Sequence, residues 1–344
     1  MKIQKNISLK NYNTFGIDAT ASRFVSINSI ADLIAVLAKE PAIFVLGGGS
    51  NLLLTDDLNK LVLHVDLKGI NIIKETENDI LIKVLAGENW HDFVLWCIEN
   101  GFGGLENLSL IPGNVGTSPI QNIGAYGVEM KDCFHKLNAI EIDTQNTRVF
   151  TKDECEFGYR NSVFKNELKG KYIITSVIFK LTKQHHKLNA SYGAIQTELE
   201  KRKIKEPTIK DISDVVIDIR NSKLPNPKEI GNSGSFFKNP VVSKEQFLEL
   251  QKKYPQIPFY EIKATQNSKL ITHNSFKIPA GWLIEQCGFK GKRFGDAGVH
   301  KKQALVLVNY GNATGQEIYD FAQKIQQTVL DTFGIELAIE VNVV

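Results

Sequence analysis

Apolar positions near the start of the chain alternate between helical and extended spacing. Leu33, Val36 and Leu37 recur at helical spacing after Ser29, whose hydroxyl can cap a first turn, so a helix is predicted there. The continuous apolar run 42–46 predicts a buried strand that ends in three glycines. A second apolar run follows at once, so the glycines are expected in a tight loop between two strands.

The middle of the chain combines one clear helix with one long loop. A single apolar face predicts a helix over 90–100, which Gly101 would end. The segment 108–126 is rich in glycine, proline, serine and asparagine and has no clear period. Because a loop of this length inside a compact domain is usually functional, we expect it to carry part of a site. Strands are predicted over 139–142 and 172–181.

A proline-rich break at 224–228 precedes the last part of the chain. Apolar residues over 337–344 predict a closing strand with one charge, Glu340. The alternation predicts the α+β class, in three regions with limits at 1–66, 67–220 and 221–344. Two capping boxes predict helix starts, at Ser243 with Gln246 and at Thr314 with Glu317.

Composition and charge argue against several classes of function. The chain has 344 residues, a formal net charge of +3 and no long basic block, which argues against a nucleic-acid partner. The first residues lack the apolar core of a signal peptide, and no apolar run reaches membrane-spanning length, so no membrane partner is expected. The four cysteines are far apart, as is typical of a reducing compartment, so a cytoplasmic location is predicted. The histidines show no paired ligand spacing, and no metal is predicted.

Two glycine-rich segments are candidate phosphate sites. In the run 47–51, successive backbone N–H groups can turn toward one anion, although a tight hairpin turn explains the glycines equally well. The run matches neither the dinucleotide fingerprint nor the P-loop. The loop 111–127 is uncharged and rich in donors, so it could lie along a pyrophosphate and a flavin ring. The alternative is an ordinary surface loop.

Three other positions carry possible chemistry. The pair Tyr159 and Arg160, taken alone, is typical of a structural or solvated position. Ser235 follows a glycine but precedes two bulky aromatics, so it does not fit the nucleophile elbow of a hydrolase. Glu340 either faces solvent on an edge strand or points into a pocket, where loss of solvent would suit it to act as an acid.

The order of these motifs along the chain is more specific than any one of them. They are, in turn, Asn13-Thr14-Phe15-Gly16, the triple glycine, Ile111-Pro112-Gly113 with 121–127, Tyr159-Arg160-Asn161-Ser162, 234–240, 280–284 and Glu340-Val341. In this order they resemble the UDP-N-acetylenolpyruvoylglucosamine reductase family, over essentially the whole chain. Tyr192-Gly193 resembles the tyrosine loop of the longer type in that family.

The resemblance implies a fold and a cofactor. It implies an FAD-binding domain of the vanillyl-alcohol-oxidase-like type in two α+β subdomains, with a third, α+β substrate-binding domain. FAD would be bound noncovalently. Its expected contacts are Gly47, Gly48, Gly49, Ser50, Asn51, Leu52, Pro112, Gly113, Gly116, Thr117, Ser118, Gln121, Asn122, Gly124, Ala125 and Tyr126.

The resemblance also implies a reaction in peptidoglycan precursor synthesis. NADPH would reduce the flavin, whose N5 would pass a hydride to the vinyl CH2 carbon of UDP-N-acetylglucosamine enolpyruvate. Arg160 and Glu340 would stabilise the developing enolate, and Ser235 would donate the final proton. The protein would be a monomer. The expected substrate contacts are Tyr159, Tyr192, Lys223, Asn239 and Gln303.

The sequence departs from the longer members near the catalytic glutamate. Those members often place a proline before it and an arginine two residues after it, where this chain has Ile339 and Asn342. The assignment to Glu340 rather than Glu336 rests on the Glu-Val pair. What replaces the arginine is left open by the sequence.

Two other function classes compete with this interpretation. An oxygen-using flavin oxidase would share the FAD-binding loops but would not need Arg160, Ser235 and Glu340 together. A non-catalytic nucleotide-binding module would keep the phosphate loops and would not turn over.

Overall fold

The computed structural model describes residues 2–262 and 275–344. The chain divides into two compact units, each built from separate segments. Unit 1 comprises Met1–Ile7, Ala21–Gly48 and Leu58–Ser222, and unit 2 comprises Ser8–Thr20, Gly49–Asp57 and Lys223–Val344. The three regions predicted from the sequence, 1–66, 67–220 and 221–344, stay a prediction.

The strands are short, and most pair antiparallel. In chain order they are β1 (Gln4–Ser8), β2 (Thr20–Ile27), β3 (Ile43–Leu46), β4 (Leu52–Leu53), β5 (Leu58–Val65), β6 (Ile70–Glu75), β7 (Asp79–Leu85), β8 (Gly124–Ala125), β9 (Val128–Glu129), β10 (Phe134–Glu141), β11 (Thr147–Thr151), β12 (Tyr172–Thr182), β13 (Val241–Ser243), β14 (Tyr260–Ile262), β15 (Ser275–Lys277), β16 (Arg293–Phe294), β17 (Ala297–Val299), β18 (Leu307–Asn309) and β19 (Asn342–Val343).

The helices lie between these strands. They are α1 (Ile30–Leu37), α2 (Trp90–Glu99), α3 (Gly193–Lys201), α4 (Ile209–Lys223), α5 (Lys244–Lys253), α6 (Ala280–Gln286) and α7 (Gly315–Phe333), with short 3-10 turns at Lys10–Tyr12, Glu106–Leu108, Val115–Thr117, Met130–Asp132 and Val163–Lys165. None of the helices in the described residues is long and apolar enough to cross a membrane.

Unit 1 contains two sheets joined by one core. The first has the order β1-β2-β5-β3, and β5 pairs parallel with both β2 and β3. Helix α1 connects β2 to β3 and begins as predicted, because the Ser29 hydroxyl accepts a hydrogen bond from the Asp32 N–H. The predicted apolar face, Leu33, Val36 and Leu37, is buried against residues of both sheets.

The second sheet of unit 1 is larger and carries α2. Its order is β11-β10-β12-β7-β6, and every neighbouring pair is antiparallel. Trp90 and Phe93 of α2 pack on Phe179 of β12, with ring centroids 5.9 and 5.2 Å apart. These aromatic contacts bury the face that the sequence predicted for this helix.

Unit 2 surrounds α7 with small sheets. Their orders are β13-β15-β14 and β16-β17-β18, and β19 pairs parallel with β4. The capping box of α7 forms as predicted: the Thr314 hydroxyl accepts from the Glu317 N–H and the Glu317 carboxylate accepts from the Thr314 N–H. Gly334 ends this helix at a φ of 66°, the left-handed region that favours glycine.

Two sequence predictions for unit 2 were only partly right. Ser243 caps α5, but the Gln246 side chain donates to the Gly334 carbonyl at 3.3 Å, a tertiary contact that replaces the reciprocal bond of a capping box. The closing strand is shorter than predicted, because only 342–343 pair as a regular strand with β4. The preceding residues instead form a bridge from Ile339 to Phe237.

Candidate functional site

The first two glycines of the triple-glycine run lie against the long loop of unit 1. A Cβ on Gly47 would lie 2.6 Å from Cγ2 of Thr117, and one on Gly48 would lie 2.7 Å from Oδ1 of Asn114. A side chain at either position would therefore push the two loops apart. Two segments that the sequence assigned separately to FAD are thus brought together within unit 1.

The rest of the glycine run belongs to unit 2. Gly49 has a φ of +59° and accepts a hydrogen bond at its carbonyl from the Thr14 N–H, at 3.1 Å. Asn51 donates from Nδ2 to the Glu340 carbonyl at 3.3 Å and accepts at its own carbonyl from the Asn342 N–H at 3.1 Å. Within unit 2, Asn51 is therefore tied to residues 340–342, which include the glutamate that the sequence singled out.

Backbone hydrogen bonds hold the long loop of unit 1 in place. The Gly113 carbonyl accepts from the Trp90 N–H, and the Gly116 N–H donates to the Ala86 carbonyl, both at 2.9 Å. The hydroxyls of Thr117 and Ser118 donate to carbonyls of the loop itself, at 2.7 Å each. All these bonds are made within the protein, so the conformation of the loop does not depend on a ligand. Ser118 is buried.

The turn around Arg160 supports the far end of the same loop. Arg160 has a φ of 52° and donates from Nη2 to the Gly124 carbonyl at 2.7 Å. Asn122 is buried; its Nδ2 donates to the Gly158 carbonyl, and its Oδ1 accepts from the Lys131 N–H, each at 3.1 Å. The pair Tyr159 and Arg160, weak in the sequence, thus belongs to a turn packed on a predicted cofactor loop.

Two tyrosines meet at the end of this loop. The rings of Tyr126 and Tyr192 lie 5.4 Å apart at an interplanar angle of 89°, an edge-to-face contact. The Asn107 side chain donates to the carbonyls of Tyr126 and Asn189, at 3.3 and 2.9 Å. Tyr192, a predicted substrate contact, therefore lies beside a predicted cofactor contact, and both Tyr192 and Tyr159 remain exposed.

In unit 2, the backbone places Ser235 and Glu340 on neighbouring segments. The Phe236 N–H donates to the Leu305 carbonyl, and the Phe236 carbonyl accepts from the Glu340 N–H, both at 2.8 Å. Ser235 itself forms a bridge with Val306. Glu340 is half-buried, whereas Glu336 is exposed. The pairing therefore brings Glu340, and not Glu336, next to the serine motif.

Two predicted substrate amides flank the start of α6. Oδ1 of Asn239 accepts from the Ala280 N–H at 2.9 Å. Oε1 of Gln303 accepts from the Leu305 N–H at 3.4 Å and faces Gly281, where an added Cβ would lie 3.3 Å away. Because both oxygens are engaged by the backbone, the NH2 groups are the ends that each side chain presents. Lys223 is exposed at the end of α4.

One charged residue of unit 1 was missed by the sequence reasoning. Arg220, in the last turn of α4, donates from Nε to the Leu110 carbonyl at 3.2 Å. Its position four residues after buried Val216 puts a cation on the buried face of that helix. The helical spacing of the apolar residues in α4 indicates a cation on the buried face. The sequence prediction, however, assigned no functional residue to this helix except Lys223 at its end.

The residues of both predicted cofactor segments fit FAD chemically. The segments 47–52 and 112–126 contain no Asp, Glu, Lys or Arg, so backbone N–H groups and neutral side chains dominate. Such donors suit a pyrophosphate. No group of three or more His, Cys, Asp or Glu in the described ranges could hold a metal ion; His273 lies outside them.

Comparisons with known proteins agree with this arrangement. A family model described as FAD binding domain matches residues 21–148, and one described as UDP-N-acetylenolpyruvoylglucosamine reductase, C-terminal domain, matches residues 226–344. The chain is 61% identical over 346 residues to the UDP-N-acetylenolpyruvoylglucosamine reductase of Flavobacterium johnsoniae, covering 100% of both proteins. It is 46% identical over 342 residues to that of Chromobacterium violaceum, covering 98% of this chain and 97% of the relative.

A solved structure supports the fold. The crystal structure of UDP-N-acetylenolpyruvylglucosamine reductase from Thermus caldophilus aligns with a TM-score of 0.70 at 22% identity, covering 100% of this chain and 99% of that one. The predicted class, an α+β FAD-binding fold with a further C-terminal domain, is confirmed.

Proposed function

This chain belongs to the UDP-N-acetylenolpyruvoylglucosamine reductase family of FAD-dependent oxidoreductases, and we propose that it reduces UDP-N-acetylglucosamine enolpyruvate to UDP-N-acetylmuramate with NADPH. The observation that carries the proposal is the 61% identity to a reductase of that name over the full length of both chains. The reaction serves peptidoglycan precursor synthesis. We propose a cytoplasmic monomer, and the four separate cysteines suit a reducing compartment.

FAD is held, in this proposal, by the glycine run and the long loop. When bound, FAD would supply the hydride-transfer chemistry that links NADPH to the vinyl CH2 carbon of the sugar nucleotide. The packing of Gly47 and Gly48 against Thr117 and Asn114 supports this assignment, because it brings two donor-rich segments together where a side chain would separate them. The absence of charged side chains from both segments leaves the pyrophosphate to those donors.

Arg160 binds the carboxylate of the enolpyruvyl group. Its bond from Nη2 to the Gly124 carbonyl uses one of several N–H donors and fixes the orientation of the planar guanidinium. A guanidinium so oriented stabilises the negative charge that grows on the carboxylate as the hydride arrives. The backbone of Arg160 is left-handed, with a φ of 52°. This unfavourable conformation supports a role that depends on where the guanidinium is held.

Ser235 donates the proton that completes the reduction. Its hydroxyl is exposed and makes no hydrogen bond with another described residue, so it is available to a ligand. A serine is a weak acid in water, but the intermediate is a strong base, so a positioned hydroxyl suffices. Half-buried Glu340, on the neighbouring segment, assists by stabilising the same intermediate.

The remaining contacts bind the sugar nucleotide. Asn239 and Gln303 present NH2 groups around the start of α6, which suits the oxygen-rich sugar and uracil. Lys223 faces the diphosphate as a point charge. Exposed Tyr159 and Tyr192 offer aromatic faces with hydroxyl ends.

An anaerobic flavin spectrum tests the proposal directly. NADPH should bleach the flavin, and the enolpyruvyl UDP-sugar should then restore its full colour. A flavin that bleaches but recovers only with oxygen would overturn the substrate assignment and favour an oxidase. A protein that binds FAD but is not reduced by NADPH would overturn the donor.

A further inference from the structure

His300 is a buried histidine of unit 2, and its two ring nitrogens lie in different environments. The residue is 7% exposed, and Nδ1 is enclosed with no hydrogen-bond partner among the described residues. Nε2 has no partner in that part of the chain either, but it is not enclosed, so it lies at the exposed edge of the ring. The fold therefore buries one polar nitrogen at a cost and presents the other at the surface.

This asymmetry determines where the imidazole carries its proton. A proton on Nδ1 would be a buried N–H without an acceptor, whereas a proton on Nε2 can be donated outward. Burial is the main factor that lowers the pKa of His300, and the Lys302 and Lys301 charges add to it. His300 is thus a neutral imidazole at neutral pH, and it presents an N–H at Nε2.

The backbone places His300 in one row with Ser235. The β17–β18 ladder ends with Val299 opposite Leu307. One position further, the His300 N–H donates to the Val306 carbonyl at 2.9 Å, and Val306 also forms a bridge with Ser235. Directly opposite residues carry their side chains on the same face, and neighbouring segments are about 4.8 Å apart. His300 and Ser235 therefore lie roughly 10 Å apart on one face of unit 2.

The turn after His300 carries a predicted substrate amide. The Val306 N–H donates to the Gln303 carbonyl at 3.1 Å, which closes the turn. Exposed Lys301 and Lys302 lie between His300 and Gln303. Their charges favour an anionic ligand, while the neutral N–H of His300 suits an uncharged oxygen. A sugar nucleotide combines both, because it carries phosphates together with hydroxyl and carbonyl oxygens.

We propose that His300 is a further binding residue of the sugar-nucleotide site, donating from Nε2 to a neutral hydroxyl or carbonyl oxygen of the ligand. The identity of the ligand rests on the proposed function, whereas the asymmetry of the ring does not. Such a role explains why a polar ring with an unsatisfied Nδ1 occupies a buried position, where an apolar side chain would cost less. Two parts of the ligand carry such oxygens, the uridine and the N-acetylated sugar.

Two substitutions of similar size separate the two nitrogens. His300→Gln keeps an N–H near the Nε2 position and puts a CH2 group in place of Nδ1, whereas His300→Met removes both polar groups. His135→Met is the control, because His135 is exposed on β10 of unit 1. Each full-length holoenzyme is tested for thermal unfolding, for kcat and KM with the enolpyruvyl UDP-sugar, and for its affinity for UDP and for UDP-N-acetylmuramate.

Binding and stability should respond in different ways. Both His300 variants should unfold at or above the wild-type temperature, by up to about 4 °C, since each removes the unpaired nitrogen. His300→Met should raise KM and weaken UDP-N-acetylmuramate binding by about tenfold or more, with kcat within about threefold, and His300→Gln should stay within about threefold throughout. His135→Met should leave every quantity unchanged.

UDP identifies which part of the ligand accepts the bond. If His300→Met weakens UDP binding as much as UDP-N-acetylmuramate binding, the acceptor is on the uridine. If UDP binding is unchanged while UDP-N-acetylmuramate binding falls, the acceptor is on the sugar.

Two results would overturn the proposal. One is a His300→Met enzyme with wild-type KM and affinities; a lower unfolding temperature beside them would assign His300 to the fold alone. The other is a His300→Gln enzyme that binds as weakly as His300→Met, because the donor at Nε2 would then not matter. If His300→Met does not fold, His300→Asn takes its place, since its amide is too short to reach the Nε2 position. Failure of the proposed function would show separately, as wild-type flavin that the sugar nucleotide cannot reoxidise, while the unfolding temperatures would still report on Nδ1.

Discussion

The main-chain N–H of Glu340 donates to the carbonyl of Phe236 at 2.8 Å, one residue from Ser235. This bond sets the register between the closing segment of the chain and the serine motif. A shift by one residue would reverse the direction of every side chain on the segment. The register therefore determines which glutamate can take part in the chemistry.

Replacing Ser235 should separate the two half-reactions. Because Ser235→Ala removes only the proton donor, reduction of the flavin by NADPH should stay at the wild-type rate. Reoxidation by the sugar nucleotide should slow by about two to four orders of magnitude. Stopped-flow absorbance measures both rates, with Ser22→Ala as the control, because Ser22 is a half-buried serine of β2 whose hydroxyl donates to the Asn59 carbonyl. Equal slowing of both half-reactions would remove Ser235 from the proton-donor role.

Substitutions of the two glutamates near the C-terminus should differ sharply in their effect on flavin reoxidation. Glu340→Gln should slow reoxidation by about ten- to a thousandfold, because the carboxyl group on the segment paired with the serine motif is lost. Glu336→Gln, at an exposed position, should stay within about twofold of the wild type. The same single-turnover measurement compares them. If Glu336→Gln is the damaging change, the assignment of Glu340 is wrong.

A methyl group at Gly116 should disturb the long loop. Its Cβ would overlap Ala86, so Gly116→Ala should destabilise the protein by about 1–3 kcal/mol and weaken FAD binding. Gly193, the first residue of α3, has open space around its Cβ position, so Gly193→Ala should be neutral or stabilising by up to about 1 kcal/mol. Thermal unfolding and FAD titration compare the two, and equal effects would contradict the packing argument.

His91 should make stability depend on pH. Burial is the main factor that holds its pKa below the usual 6.5, and its Nδ1 accepts from the Leu110 N–H. The unfolded state then binds more protons, so stability is full above about pH 6.5 and falls as the pH drops toward the lower folded pKa. His91→Asn, which keeps an acceptor, should flatten this slope. Denaturant unfolding at several pH values measures it, and an unchanged slope would assign the effect to other groups.

Local signals predicted the parts of the fold that neighbouring residues determine. Ser29, Thr314 and Glu317 cap their helices as expected, because capping depends on residues three apart. Gln246 did not follow its pattern, because a contact with Gly334, far along the chain, replaced the local bond. The hydrogen bond from Arg220 to the Leu110 carbonyl also joins residues far apart along the chain, so it could not be predicted locally.

For the candidate site, too, the sequence predicted local segments but not the contacts between them. The sequence named the glycine run and the long loop, but their contact through Gly47 and Thr117 needed the folded chain. Nothing in the local pattern indicated that 8–20 and 49–57 would pack with the C-terminal residues.

The parallel pairing of β4 with β19 has a consequence for synthesis and truncation. Residues 52–53 emerge from the ribosome early, yet their strand partner is 342–343, which is made much later. Unit 2 can therefore close only after residues 342–343 have been made, and such long-range pairing folds slowly. A fragment that begins at the proline-rich break would lack one strand of this pair and the carbonyl of Leu54 against which Gly315 packs. Co-expression of such a fragment with the N-terminal part, as separate chains, offers the way to rebuild unit 2 from pieces.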